Sequence, residues 1–396
     1  MKILVLNSWS SSLKYQFIDM PENKVLCEWL VDKIWIEWTN FTHEVGSNKI
    51  KFIETIENHK QALDKVLFML SNWEKPVIKD LKEIDAVGHR VVHWWEEFTD
   101  SVIIDKDVID WITKCEELAP LHNSANKLWI MAIKEILDDI PQVAVFDTAF
   151  HQTIKPENYL YALPYKYYNN YGIRKYWFHG TSHKYVVNRV ADILDENINN
   201  LKIINCHIWN WASIAAIENW KVIDTSMWFT PLDWLVMWTR TWDLDPSIVT
   251  FLMEKEWLSI KEIANILNKE SWVLWISEKS SDMREVIDWY LSWDEKCINA
   301  INVYVNRIIK YIGSYTAQMW WVDVISLTAG VLENSLFIRK LIVDKLSFIW
   351  VKLDESKNDF RWEERIISTE NSKTKIMVIP TNEELVIAQD TYKLLK

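Results

Sequence analysis

The turn Asn7-Ser8-Trp9-Ser10-Ser11-Ser12-Leu13-Lys14 crowds hydroxyl groups and one cation into a single short stretch. A turn of that kind can aim several N–H and O–H donors at a phosphate, although serine clusters alone more often form ordinary hairpin turns. Val87-Gly88-His89-Arg90-Val91-Val92-His93 puts an arginine at the end of an apolar strand, a costly place for a guanidinium unless an anion waits there. Leu118-Ala119-Pro120-Leu121-His122-Asn123 and Val145-Phe146-Asp147-Thr148-Ala149-Phe150-His151 also end apolar segments in titratable residues. His179 stands just before an expected helix start in Phe178-His179-Gly180-Thr181-Ser182-His183. Any one of these histidines is more often structural than catalytic. Their joint recurrence at segment ends is the signal, and it points to an anionic ligand.

The elements that must position them alternate. Lys2–Asn7, Leu13–Met20 and Lys24–Val31 read as an antiparallel meander, with the serine turn between the first two. A helix is expected over Glu54–Trp73, a buried strand over Ile84–Val92, helices over Lys106–Leu118 and Ala125–Leu137, and a strand over Gln142–Phe146 that closes on Asp147. The second half repeats the plan. Leu201–Ile208 and Ala212–Ile217 flank the turn Trp209-Asn210-Trp211, and Lys221–Asp224 follows as a third strand. Helices Ser247–Leu267 and Cys297–Gln318, a strand Val324–Leu327 and a final helix Glu383–Leu395 complete the reading. Strand, small polar turn, strand thus occurs twice, which predicts two similar lobes packed along a cleft near residue 150. Thr381 and Glu384 have capping-box spacing, so Glu384 is assigned to the helix cap and Glu383 is left to reach a metal.

The bulk numbers bound the partners. The chain has 396 residues, 49% hydrophobic and 25% charged, which suits two globular domains. A formal charge of −12 argues against nucleic acid. The four cysteines, Cys27, Cys115, Cys206 and Cys297, form no CxxC pair and read as buried cytosolic thiols. No apolar run reaches membrane-spanning length, and the apolar start Ile3–Leu6 is too short for a signal peptide, so the expected place is the cytoplasm.

One number is abnormal. Glycine occurs 6 times and tryptophan 26 times, where about 28 glycines would be ordinary. Pooled they make 32, close to a normal glycine count plus a few tryptophans. Tryptophan also sits in turn contexts such as Asn7-Ser8-Trp9-Ser10, Glu218-Asn219-Trp220-Lys221 and Leu232-Asp233-Trp234, where the Asn and Asp neighbours announce glycine. A gene that reads UGA as glycine, translated under a table that assigns UGA to tryptophan, would give this pattern.

With that allowance the whole chain resembles the acetate kinase family of the acetate and sugar kinase/actin superfamily. The stretches that carry the resemblance are NSWSSSLKYQ, GHRVVHWWE, LAPLHNSAN, VFDTAFHQT, YGIRKYWFHGTSH, CHIWNWAS, DTSMWFTPLDWLVMWTRTWDLDP, SSDMREV, TAGVLENS and TNEEL. In nearly all of them tryptophan stands where the family has glycine. The resemblance implies an α/β fold of two ribonuclease H-like (actin-like) lobes, each a mixed sheet flanked by helices. The N-terminal lobe would be 1–149 joined by the helix 383–396, and 150–382 would bind nucleotide. The reaction implied is reversible Mg²⁺-dependent transfer between ATP and acetate, giving acetyl phosphate and ADP, with Mn²⁺ as an alternative metal. The partners implied are small molecules and a second copy of the chain, with neither nucleic acid nor membrane.

It also implies roles. Asn7 and Glu383 would place the metal, and Ser10, Ser12 and Lys14 would hold phosphates. Arg90 and Arg240 would clamp the carboxylate and the phosphoryl group in flight, with His179 stabilising its charge. Asp147 would act as acid/base or as an orienting group; orientation is favoured, because a carboxylate acceptor is already ionised at neutral pH. His207, Ile208, Trp209, Asn210 and Trp211 would form a second phosphate loop, while Asp282, Met283 and Arg284 with Gly330, Val331, Leu332, Glu333 and Asn334 would hold the nucleotide. Val92, Leu121, Phe178 and Pro231 would wall a pocket sized for a methyl group. Little covalent help is required for such a transfer; alignment and neutralisation of charge on three oxygens are.

Two departures matter. An indole at Trp9, Trp209 or Trp211 would fill an anion site, and Leu332 replaces a family glycine in a way that misread UGA cannot explain. Ser124, where proline is usual, is harmless. The competing readings are a propionate or butyrate kinase of the same family and a non-catalytic actin-like binding protein. The second has no use for Arg90, Asp147, His179, Arg240 and Glu383 converging.

Overall fold

A computed structural model describes the chain except residues 9–11, 33–38, 47, 57, 74, 93–97, 99, 118–119, 177, 210, 231, 233–234, 236–240, 242–243 and 272, and the side chains of 12, 32, 117 and 120–122. Its contacts divide it into two compact units, Met1–Phe150 with Asn382–Lys396, and His151–Thr381.

The first unit is built on an eight-stranded sheet. Its strands are β1 (Lys2–Ser8), β2 (Ser12–Asp19), β3 (Lys24–Asp32), β4 (Thr39–Val45), β5 (Asn48–Glu54), β6 (Ala86–Val91), β7 (Val102–Ile103) and β8 (Gln142–Phe146), in the order β5-β4-β3-β2-β1-β6-β8-β7. β1 runs antiparallel to β2 and parallel to β6, which is parallel to β8. Because side chains alternate along a strand, Leu4 and Leu6 pack with Leu63, Val66, Leu70 and Ile133 of the helices His59–Asn72 and Pro120–Ile136. Ile3 and Val5 meet Ile387 and Ala388 of the C-terminal helix Glu383–Leu395 on the other face. Gly88 permits that approach: a Cβ there would lie 2.5 Å from Thr391 Oγ1 and 2.7 Å from Ile387 Cγ2.

The second unit has a six-stranded sheet of β9 (Lys202–Ile208), β10 (Ala212–Glu218), β11 (Lys221–Thr225), β12 (Val324–Thr328), β13 (Arg365–Ile366) and β14 (Lys375–Val378), ordered β11-β10-β9-β12-β14-β13. β9 is antiparallel to β10 and parallel to β12, which is parallel to β14. The helix Glu295–Met319 supplies much of this unit's core. Each sheet therefore contains the same motif, an antiparallel three-strand meander whose first strand continues into two parallel strands. This is the actin-like plan expected above. Among the described residues no helix is long and apolar enough to cross a membrane.

Several elements differ from expectation, the short strands β7, β13 and β14 among them. β4 and β5 extend the first sheet where no strand was expected, and the following helix begins only at His59, capped by the Asn58 side chain. The single helix expected over 247–267 is two, Pro246–Lys255 and Ile260–Lys269. Trp257 breaks it by taking φ 56°, and Ser259 with Glu262 forms a capping box that starts the second helix. The last helix is capped by Asn382, whose side chain accepts from Leu385 N–H at 3.1 Å, and not by Glu384.

Among the described residues, six of the twelve non-glycine residues with positive φ are tryptophans: 220, 257, 293, 320, 350 and 362. Trp220 follows Asn219 in the two-residue turn joining Glu218 to Lys221, both with positive φ, where a hairpin calls for Asn-Gly. Trp257 and Trp293 end helices where the next N–H reaches back, Leu258 to Met253 O and Asp294 to Trp289 O, both at 3.1 Å. That 6→1 bond is the Schellman closure, whose left-handed residue is usually glycine. Trp257, Trp293 and Trp320 are all more than four-fifths exposed, so burial returns little for the strain. Elsewhere the indole nitrogens of Trp29, Trp73 and Trp129 are buried without a hydrogen-bond partner among the described residues, an unusual state for this side chain.

Candidate active site

In the first unit the polar groups gather where β1, β6 and β8 end, the end of parallel strands at which open α/β sheets hold ligands. Asn7 lies at the end of β1, Arg90 near the end of β6, and Asp147 just past β8. Arg90 Nη2 donates to Asp147 Oδ2 at 2.8 Å, and both side chains are essentially inaccessible. Asn126 ties β1 to β6, since its amide donates to Ser8 Oγ at 2.9 Å and its Oδ1 accepts from Val92 N–H at 3.2 Å.

The C-terminal helix brings two carboxylates to the same place. Asn7 Nδ2 donates to Glu383 Oε2 at 3.0 Å and Glu384 Oε1 at 3.1 Å. Lys14 Nζ donates to Glu384 Oε2 at 2.9 Å. The two carboxyls are driven apart in acidity. Burial raises Glu383 to about 7 against the pull of Arg90, and the charges of Asp147 and Glu384 add to the rise. Burial would also raise Glu384, but the Lys14 ammonium more than offsets it and holds that carboxyl below its ordinary value. Asn7 Oδ1 is buried and accepts nothing among the described residues. A buried amide oxygen beside two carboxylates is a hard-oxygen donor set, suited to a small divalent cation that keeps other ligands of its own. Among the described residues no cluster of three His, Cys, Asp or Glu side chains could hold a metal, so the cation would depend on this mixed set.

In the second unit the helix Gly180–Leu194 starts from His179, itself left-handed at φ 59°. His179 Nδ1 lies 2.9 Å from Ser213 Oγ, and its ring stacks on His207 with centroids 4.1 Å apart. His207 Nδ1 is 2.7 Å from Ser182 Oγ, which is 2.7 Å from Thr381 Oγ1. After β12, Ala329 adopts φ 67° and ψ 167°, a region nearly reserved for glycine, and Gly330–Asn334 forms a short helix. The Glu333 carboxylate ties this turn down by accepting Ala329 N–H at 2.6 Å and Thr381 N–H at 3.1 Å. Arg339 braces it from beneath, donating to the carbonyls of Leu332 at 2.9 Å and Glu333 at 3.0 Å.

Comparison with known proteins adds the lineage. The model of the acetokinase family matches residues 2–389. The chain belongs to the acetokinase family. It is 54% identical over 397 residues to an acetate kinase of Thermoanaerobacterium thermosaccharolyticum, covering 100% of this chain and 99% of that one. The crystal structure of Porphyromonas gingivalis acetate kinase superposes with a TM-score of 0.94 at 42% identity, covering all of both chains. A propionate kinase from Francisella tularensis superposes at 0.92 with 39% identity over 99% of each chain.

Within this chain, the residues singled out from sequence fall into three groups. Asn7, Lys14, Arg90, Asp147 and Glu383 come together in the first unit, and His179 and His207 do so in the second. Ser10, Asn210, Pro231 and Arg240, and the side chains of Ser12 and Leu121, lie outside the described residues. The remainder offer less than their positions promised. Ile208, Met283, Val331 and Leu332 are core residues, so any nucleotide contact from them runs through backbone. Arg284 donates to Asp282 Oδ1 at 3.0 Å, a local pair at a helix start. Val92 and Phe178 are buried in their respective units. The Trp209 ring rests on Gly330, where a Cβ would come within 2.8 Å of Cδ1, so the indole covers the glycine of the nucleotide turn. Trp211 closes the loop, its carbonyl accepting Trp209 N–H at 3.1 Å.

The geometry adds Glu384, Asn126, Ser213, His183 and Asn205 to the site. Their signal was a polar residue inside an apolar strand or helix, as at Asn205 in KIINCHI and Ser213 in ASIAAIE.

Proposed function

We propose that this chain catalyses reversible phosphoryl transfer between ATP and acetate, giving acetyl phosphate and ADP, with Mg²⁺ as the metal. The observation that carries the reading is the buried Arg90–Asp147 pair at the ends of β6 and β8, next to the carboxylates that share Asn7. A guanidinium buried this deeply is held ready for an anion, and planar carboxylate and phosphoryl groups both match its fork.

In this reading Asp147 fixes the plane of Arg90 through Nη2 and so orients the acceptor carboxylate, which needs no general base. Arg240 is assigned the second half of the clamp, and His179 donates to the transferring phosphoryl group as charge builds on its oxygens. Val92 meets the acetate methyl group. Ser10, Ser12 and Lys14 with the 207–211 loop hold phosphates, and Asp282–Arg284 with Gly330–Asn334 hold the nucleotide. Asn7 Oδ1 and Glu383 would hold the divalent cation, with Glu384 kept ionised by Lys14 beside them. When bound, that cation neutralises charge on the phosphate oxygens. We further propose a cytoplasmic homodimer, on the family likeness alone.

The test is trapping of the acyl phosphate with hydroxylamine, using acetate, propionate and butyrate as acceptors in the protein with glycine at the turn tryptophans. Acetate is expected to give the highest kcat/KM. Preference for propionate would move the chain to its propionate-using relatives, and no hydroxamate from any acid would end the reading.

Glu383 gives a pH signature. Between about 4.5 and 7 the folded, metal-free protein holds a proton that the unfolded chain has lost, so this carboxyl's contribution to stability falls as pH rises through that window. A cation binds only the deprotonated form, which reverses the trend. Millimolar Mg²⁺ is therefore expected to raise Tm more at pH 8 than at pH 6, and Glu383→Gln to remove the difference. Equal Mg²⁺ shifts at both pH values in the parent protein would contradict the assignment.

A further inference from the structure

A chain of buried hydrogen bonds runs through the second unit from the sheet to His179. Ser326 on β12 and Asn205 on β9 are register partners, and Ser326 Oγ donates to Asn205 Oδ1 at 2.8 Å. With its oxygen so used, Asn205 offers Nδ2 to His183 Nδ1 at 2.8 Å. His183 Nδ1 is then an acceptor, and the ring proton belongs on Nε2. That nitrogen lies 2.8 Å from Ser213 Oγ on β10 and donates to it. The Ser213 hydroxyl, having accepted from His183, directs its own proton to His179 Nδ1 at 2.9 Å. Ser326, Asn205, His183 and Ser213 are fully buried, and His179 is nearly so.

Local structure explains why two histidines reach one serine. His179 and His183 are four residues apart, on the same side of the helix start, and His183 N–H donates to His179 O at 2.9 Å. Burial, reinforced by the neighbouring His151 and His207, pushes His183 well below the ordinary histidine range, so it stays neutral and can accept and donate at once.

We propose that His183 is a positioning residue for His179: the Ser326–Asn205–His183–Ser213 relay holds the His179 ring in the Nε2–H tautomer and in one orientation. This rests on the reading that His179 donates to the transferring phosphoryl group. A proton on Nε2 makes that nitrogen a donor, whereas the other tautomer would turn a lone pair toward an anion. The stack on His207 fixes the plane of the ring, and Ser213 fixes its rotation within that plane.

The experiment combines ¹⁵N-histidine NMR with steady-state kinetics on the glycine-restored full chain. In the parent protein the His179 Nδ1 resonance is expected to be that of an unprotonated nitrogen accepting a hydrogen bond. Ser213→Ala is expected to mix the tautomers and lower kcat on the order of 100-fold, with KM for ATP and acetate within about twofold, since only the orientation of a donor is lost. Ser213→Thr, which keeps the hydroxyl, and His183→Gln, which keeps an N–H toward Ser213, are expected to recover most of the rate. A protonated Nδ1 in the parent protein, or an unchanged kcat in Ser213→Ala when His179→Ala lowers it, overturns the proposal. His179→Ala separates the two levels: if it leaves kcat unchanged while the tautomer behaves as stated, the role of His179 in transfer fails and the relay stands.

Discussion

Glycine at positions 220, 257, 293, 320, 350 and 362 together is expected to stabilise this chain by roughly 6–12 kcal/mol, at about 1–2 kcal/mol for each side chain relieved of a left-handed backbone. That is the size of a whole folding free energy, about 5–15 kcal/mol. The tryptophan form should therefore be insoluble on expression and the glycine form soluble, with a urea transition that can be measured. Trp29, Trp73 and Trp129 add to the effect, because each buried indole N–H without a partner costs about 1–3 kcal/mol. The companion measurement is peptide sequencing of the natural protein. Glycine is expected at the hairpin position 220 and at the helix ends 257 and 293, where the closing hydrogen bonds demand φ near 60°. Tryptophan recovered there from a soluble, active protein would refute the strain argument.

The second large effect concerns Arg90. Arg90→Leu is expected to lower kcat/KM at least about 10³-fold, corresponding to roughly 4 kcal/mol of lost transition-state stabilisation. It should also destabilise the fold by about 3–5 kcal/mol, because Asp147 is left as a buried charge without its counterion. Arg90→Lys should recover little activity, since an ammonium cannot present two parallel donors. The double variant Arg90→Leu/Asp147→Leu separates the two effects. Its urea midpoint should return toward that of the parent while activity stays lost. Activity retained in Arg90→Leu would remove the guanidinium from the chemistry altogether.

The repeated plan of the sheets was legible because the strands bearing the site are short apolar runs that stop at polar residues. β4 and β5 were not, since Thr39–Val45 and Asn48–Glu54 are largely polar and form the sheet's outer strands, where pairing needs little apolar sequence. The break at Trp257 was hidden by its residue type: read as glycine, it marks a helix end. Capping-box spacing misled at Glu384, because Thr381 has its N–H committed to Glu333 and its hydroxyl to Ser182. Asn382 caps the helix instead, which leaves Glu384 to Lys14 and Asn7. The relay behind His179 could not be read along the chain, for its members come from one helix and three strands. Only registration of the strands brings an asparagine, two serines and two histidines into contact.

The first unit is completed by the helix Glu383–Leu395, far along the chain from its strands, and this sets the order in which the molecule can be made. Ile3 and Val5 are synthesised well before the helix that covers them, which begins at Glu383. All of His151–Thr381 is synthesised in between, which takes roughly 10–50 s at 5–20 residues per second. During that time the nascent sheet carries an uncovered apolar face with Gly88 at its centre, and any prematurely terminated chain keeps it. Such a fragment lacks both Glu383 and Glu384 as well, so it would carry an exposed apolar face without the proposed cation site.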